Sequence, residues 1–164
     1  MIRLLIRAAA PTLLLSLSFV LLLAVPLGGQ SSSDVAVVTN ADVPVDNLTL
    51  YEVRRLVLGD RDFWTPGVRV TLVLNAPGAH ERDVILKTVC RMTEAQFRQH
   101  WIAKMFRADT LIRPRIVDTT DMVVDLTGRT PGAVAFVDAS KVGKNVKVLK
   151  VDGLVPGERG YPLH

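Results

Sequence analysis

Apolar and polar residues fall into short blocks whose periods alternate between those of strands and helices. Val35–Thr39 (VAVVT) is an unbroken apolar run, which predicts a strand covered on both faces. Leu50, Val53, Leu56 and Val57 then recur at helical spacing, with Arg54 and Arg55 off the stripe. Thr49 and Glu52 form a capping box and Gly59 supplies a positive-φ stop, so a helix is expected from Leu50 to Leu58. Val68–Leu74 predicts a second strand, Asn75–Gly78 a turn, and Ala79–Arg91 a helix with Val84, Ile85, Thr88 and Val89 on one face. A second capping box, Thr93 with Gln96, opens a helix through Phe97, Trp101, Ile102, Met105 and Phe106, whose partners should be apolar. Asp109–Asp118 reads as irregular. Thr120 caps a short helix, Asp121–Leu126, closed by Gly128. Ala133–Val137 is a third strand and Val146–Val151 a half-exposed fourth. Strands alternating with helices predict an α/β fold of three layers, a mostly parallel sheet flanked by helices. The domain is expected over 34–155, and the Gly/Pro-rich residues 156–164 as a flexible tail.

Phe63 and Trp64, ahead of Thr65-Pro66-Gly67, predict a rigid aromatic turn that folds two rings back over the end of the first helix. This stretch resembles the "FxG....W..G" helix and turn of the phosphate-type substrate-binding proteins of bacterial ABC transporters, members of the type 2 periplasmic binding protein superfamily. The matching residues are Val57, Gly59, Trp64 and Gly67, and the likeness extends through Met92–Phe106 and Thr130–Ser140. Such proteins have two lobes and about twice this length, so the resemblance implies one lobe. It also implies phosphate or another small oxyanion as solute, and an ABC permease or other envelope protein as partner.

Composition bounds the remaining choices. The chain has 164 residues, room for one domain, and its 49% hydrophobic content is raised by the N-terminal segment. Arg3 and Arg7 precede the apolar run Leu13–Val25 and a small polar exit at Gly28–Ser33, which reads residues 1–30 as a secretory signal peptide. A single N-terminal membrane anchor is the competing reading. Either places the rest of the chain in the periplasm. Without Arg3 and Arg7 the 20 basic residues fall to 18 against 16 acidic, and no basic stripe is interleaved with aromatics, so nucleic acid is not expected as a partner. The lone Cys90 has no bridging partner and sits in an apolar rhythm, as a buried small hydrophobe would.

Ligands of open α/β sheets collect beyond the carboxyl ends of strands, where helix N-termini present free amides. The loop that fits is Asn75-Ala76-Pro77-Gly78-Ala79-His80-Glu81-Arg82. In the family it resembles, this loop runs from an arginine to a Ser-Gly-Thr trio. Here Asn75 stands near the arginine's place and Gly78-Ala79-His80 near the trio, so both hydroxyls are gone. Asn75, Gly78, Ala79, His80, Glu81 and Arg82 are the candidate ligand-binding residues, for weak oxyanion binding through backbone amides and Arg82. Arg113 and Arg115, either side of Pro114, can project together as an anion-binding pair or a solvated loop. Trp64 and Trp101 are placed in the core; Asp118, Asp121 and Asp125 together suggest a cation site, but Thr120 capping and dipole-matched acids explain the first two more simply. The three histidines have no metal spacing and no nucleophile, base and orienter set is visible, so neither metal, cofactor nor catalysis is expected. The expected function is an exported noncatalytic binding module; the alternative is a protein–protein interaction or sensory module without solute. A one-lobed chain can supply its missing jaw by forming a homodimer.

Overall fold

The computed structural model describes residues 34–110 and 113–164. The signal or anchor reading of the N-terminal segment lies outside them. No helix among the described residues is long and apolar enough to cross a membrane.

The elements run β1 (Val35–Thr39), β2 (Asn47–Leu48), α1 (Leu50–Val57), β3 (Phe63–Thr65), β4 (Val68–Arg69), β5 (Thr71–Asn75) and α2 (His80–Val84). A π-helical turn, Ile85–Cys90, continues α2, followed by α3 (Glu94–Phe106), β6 (Arg115–Val117), α4 (Thr120–Arg129), β7 (Ala133–Asp138), a 3-10 turn (Ala139–Lys141) and β8 (Lys147–Val151). Six strands form one sheet in the order β2-β8-β1-β7-β5-β6, and β3 pairs with β4 in a separate hairpin. β2 pairs parallel to β8, and β5 parallel to both β6 and β7, while β1 is antiparallel to β7 and β8. The sheet is thus mostly parallel, with β1 as its single reversed strand.

Period-2 alternation sorts the strands onto two cores. Val35, Val37, Val134, Phe136, Leu72 and Leu74 face α1, the π turn and α3. Ala36, Val38, Ala133, Ala135, Val137 and Val73 face Val123 and Val124 of α4. These are the three layers expected of the fold.

α1 starts as the capping box requires, with Thr49 Oγ1 accepting from Glu52 N and the Glu52 carboxylate accepting from Thr49 N at 2.9 Å. Gly59 ends it at φ +67°, and a Cβ there would stand 2.5 Å from Trp101 Cη2, so glycine lets α3 lie against the end of α1. His100 Nε2 donates to Leu58 O at 2.9 Å, and Lys104 forms an ion pair with Asp60.

Several expectations are corrected. Only Trp64 folds inward, donating from Nε1 to Gly132 O at 2.9 Å; Phe63 lies outside, under the Arg69 guanidinium. The expected second strand breaks at Val70 into β4 and β5. α3 buries Phe97 and Trp101 but leaves Ile102, Met105 and Phe106 exposed. The supposedly irregular stretch contains β6, which takes strand form by pairing with β5. Thr119 rather than Thr120 caps α4, and Gly128 lies inside that helix. The tail expected to be flexible is docked: Tyr161 and Leu163 are buried, Val35 N donates to Leu163 O at 2.8 Å, and Tyr161 OH donates to Val35 O at 2.8 Å.

Candidate functional site

β5 and β6 end side by side, with Asn75 opposite Val117, and each feeds a helix. Ala76 N donates to Val117 O at 2.9 Å, and Ala79 N to Ala76 O at 3.2 Å, closing a tight turn at Pro77-Gly78 where Gly78 adopts φ +90°. The tips of α2 and α4 therefore meet at the carboxyl end of the sheet. α1, α3 and α4 begin at Thr49, Thr93 and Thr119, each of whose hydroxyls accepts a backbone N–H. α2 begins at Ala79 with no side-chain cap. Its first amides keep the unmet donor capacity that an alanine cannot satisfy.

The candidate residues divide sharply. Gly78 and His80 are exposed at the tip, and Ala79 is half-buried. Glu81 is buried, and its Oε1 accepts from Thr120 Oγ1 at 3.0 Å, tying the two helix tips together. Arg82 is buried as well: Nη1 donates to Asn75 O at 2.9 Å, while Nε and Nη2 grip the two Glu94 oxygens at 2.8 Å each. Its guanidinium lies 5.3 Å from the Phe97 ring centroid. Both hydrogen-bonding edges of Arg82 are thus occupied, and its charge is balanced by Glu94. Asn75 is buried at the strand end, and its Oδ1 finds no donor among the described residues.

Electrostatically, the tip combines open amides with the buried carboxylate of Glu81. The amides and helix dipole attract an anion, and Glu81 opposes it. As residues of the site, Glu94 and Thr120 escaped the sequence reading, which assigned Thr120 only a capping role. The Thr93-Gln96 box did place Glu94 in a first helical turn, but its contact with Arg82 crosses a reversal at Arg91, where φ is +54°. Arg113 lines a separate groove beside α3, and Arg115 stands exposed on β6. Cys90 is buried and burial pushes its thiol up to about 11, which keeps it protonated and unreactive. Among the described residues no three His, Cys, Asp or Glu side chains gather as a metal site would need.

No protein-family model matches the chain. Solved structures do. A substrate-binding protein assigned to a phosphate ABC transporter of Clostridium perfringens, solved with phosphate bound, superposes with a TM-score of 0.61 at 20% identity over 76% of this chain. An ABC-type phosphate transport receptor of Vibrio cholerae gives 0.60 at 19% identity over 76%, and PstS of Borrelia burgdorferi 0.61 at 14% over 80%. The fold is that of the phosphate-type substrate-binding proteins. The chain spans about half the length of these structures, which are covered over 47%, 48% and 54%. It matches them as one lobe would.

Proposed function

We propose that this chain is an exported, noncatalytic binding module that takes a small oxyanion, such as phosphate, weakly at the uncapped tip of α2. The observation that carries the reading is the contrast in caps. Among the described residues three α-helices close their first turn with a threonine hydroxyl, and the one that does not stands at the carboxyl end of β5, in a fold shared with proteins named for phosphate. Gly78 and His80 would contribute amides, since Ala79 N is held by Ala76 O, and Asn75 its buried amide group. Arg82 would contribute no direct contact, because Glu94 and Asn75 O already hold it.

Weakness follows from the same geometry. A charge-assisted hydrogen bond is worth about 1.5–3 kcal/mol, and a tip without a free guanidinium lacks several of them. Glu81 adds a like charge. A second jaw, supplied by another copy of the chain or by an envelope protein such as an ABC permease, would exclude water and strengthen the grip.

Thermal unfolding in phosphate, sulfate and chloride at constant ionic strength tests the proposal. Phosphate should raise the melting temperature at millimolar concentration, and Glu81→Gln should strengthen that effect several-fold by removing the opposing charge. If neither chain responds to phosphate or sulfate, the solute reading is wrong. The module would then be an interaction or sensory domain, a reading supported by the neutralisation of Arg82.

A further inference from the structure

A second concavity lies between α3 and the outer edge of β6, reaching the α2 loop at Pro77. It is a groove of about 500 Å³, within the usual range for small-molecule sites. Phe97, Trp101, Ile102 and Met105 of α3 form one wall, and Pro114 and Ile116 the other. Arg98, Ile102 and Met105 follow one another at helical spacing, which puts a cation at one end of an apolar strip. Arg113 stands on the opposite wall.

The charge balance favours an anion. Arg82 also borders the groove, but Glu94 neutralises it. Among the described residues neither Arg98 nor Arg113 pairs with a carboxylate, so the groove carries two uncompensated guanidiniums beside an apolar floor. Exposed apolar side chains are normal singly, but Ile102, Met105 and Ile116 are contiguous with this concavity, with Met105 and Ile116 about half exposed at 49% and 51%. An added peptide strand is a poor occupant: β6 has only three residues, and Pro114 beside it cannot donate to a ladder.

We propose that this groove binds an amphipathic carboxylate, its alkyl or aryl body against Ile102, Met105 and Ile116 and its carboxylate on Arg98 and Arg113. The site borders the α2 loop at Pro77 and Arg82 but uses none of the amides proposed for the oxyanion. It gives the module a ligand class distinct from inorganic oxyanions.

Octanoate, octanol and acetate, each titrated into the full-length protein while the methyl resonances of Ile102, Met105 and Ile116 are followed, test the proposal. Octanoate should shift all three methyls saturably, and acetate should not. Arg98→Gln with Arg113→Gln should weaken octanoate by about tenfold or more while leaving octanol unchanged. Both arginines are exposed, so the pair should fold normally. Ile116→Asp should reduce octanoate and octanol binding alike. Methyls that stay unmoved at millimolar octanoate, or a double variant that binds as tightly as the parent, would overturn the proposal. Phosphate should leave these methyls in place, so the outcome is separable from that at the α2 tip.

Discussion

The two faces of the sheet use different materials: one meets its helices through Phe136, Leu56, Phe97 and both tryptophans, the other meets α4 through buried valines and alanines with Leu126 at the margin. Rings and leucines fill a wide space beneath three helical segments. Alanine at Ala36, Ala133 and Ala135 instead lets a single helix approach closely. On its far side α4 is also tightly packed: a Cβ on Gly128 would lie 2.3 Å from Asn145 Nδ2, in the loop before β8. The large-residue face supplies most of the apolar burial, and the small-residue face fixes position, bringing Thr120 of α4 within reach of Glu81.

Substitutions should therefore act unequally on the two faces. Phe136→Ala, which empties the large core, should cost about 3–5 kcal/mol in urea denaturation. A loss no greater than that of a valine truncation on the α4 face would dissolve the asymmetry. Arg82→Met should cost about 2–3 kcal/mol, because Glu94 and Asn75 O both lose their partner while the stem volume is kept. Ala135→Leu tests the opposite face, where overpacking rather than a void is the fault. About 1–3 kcal/mol is expected there, read as a lower melting temperature, with α4 displaced.

The smallest effect concerns α1 and depends on pH. Glu52 has its carboxyl held below the usual value of 4.5, chiefly by the hydrogen bond from Thr49 N. A depressed folded-state value means that the contribution is complete above the unfolded-state titration and is lost as pH falls through the lower, folded-state one. Glu52→Gln should cost under about 1 kcal/mol near neutrality and nothing in strong acid. An equal deficit at both pH values would show that the carboxylate charge is irrelevant.

Contacts between residues close in sequence were legible before the fold was seen. Thr49 with Glu52 and Thr93 with Gln96 span one helical turn each, and both boxes form. Runs such as VAVVT announced buried strands because nothing but a core accepts five such residues. What stayed hidden depends on distant partners. β6 is three residues whose strand form comes from β5, and the reversed direction of β1 is set by β7 and β8. The inward turn of Trp64 relies on Gly132 O, 68 positions away, while neighbouring Phe63 finds only Arg69 outside. At the candidate site, the loop and its missing hydroxyls could be read directly. The capture of Arg82 by Glu94 could not, because the bend at Arg91 has no signature in residue type: a non-glycine there takes a left-handed turn.

The docking of Tyr161 and Leu163 on β1 has a kinetic side. Every ladder partner of that strand is made long after it, and Tyr161 is separated from Val35 by 126 positions. Closing so long a loop is entropically slow. β1, made before β7, β8 and Tyr161, would thus be secured late, with its backbone groups unpaired until those partners follow.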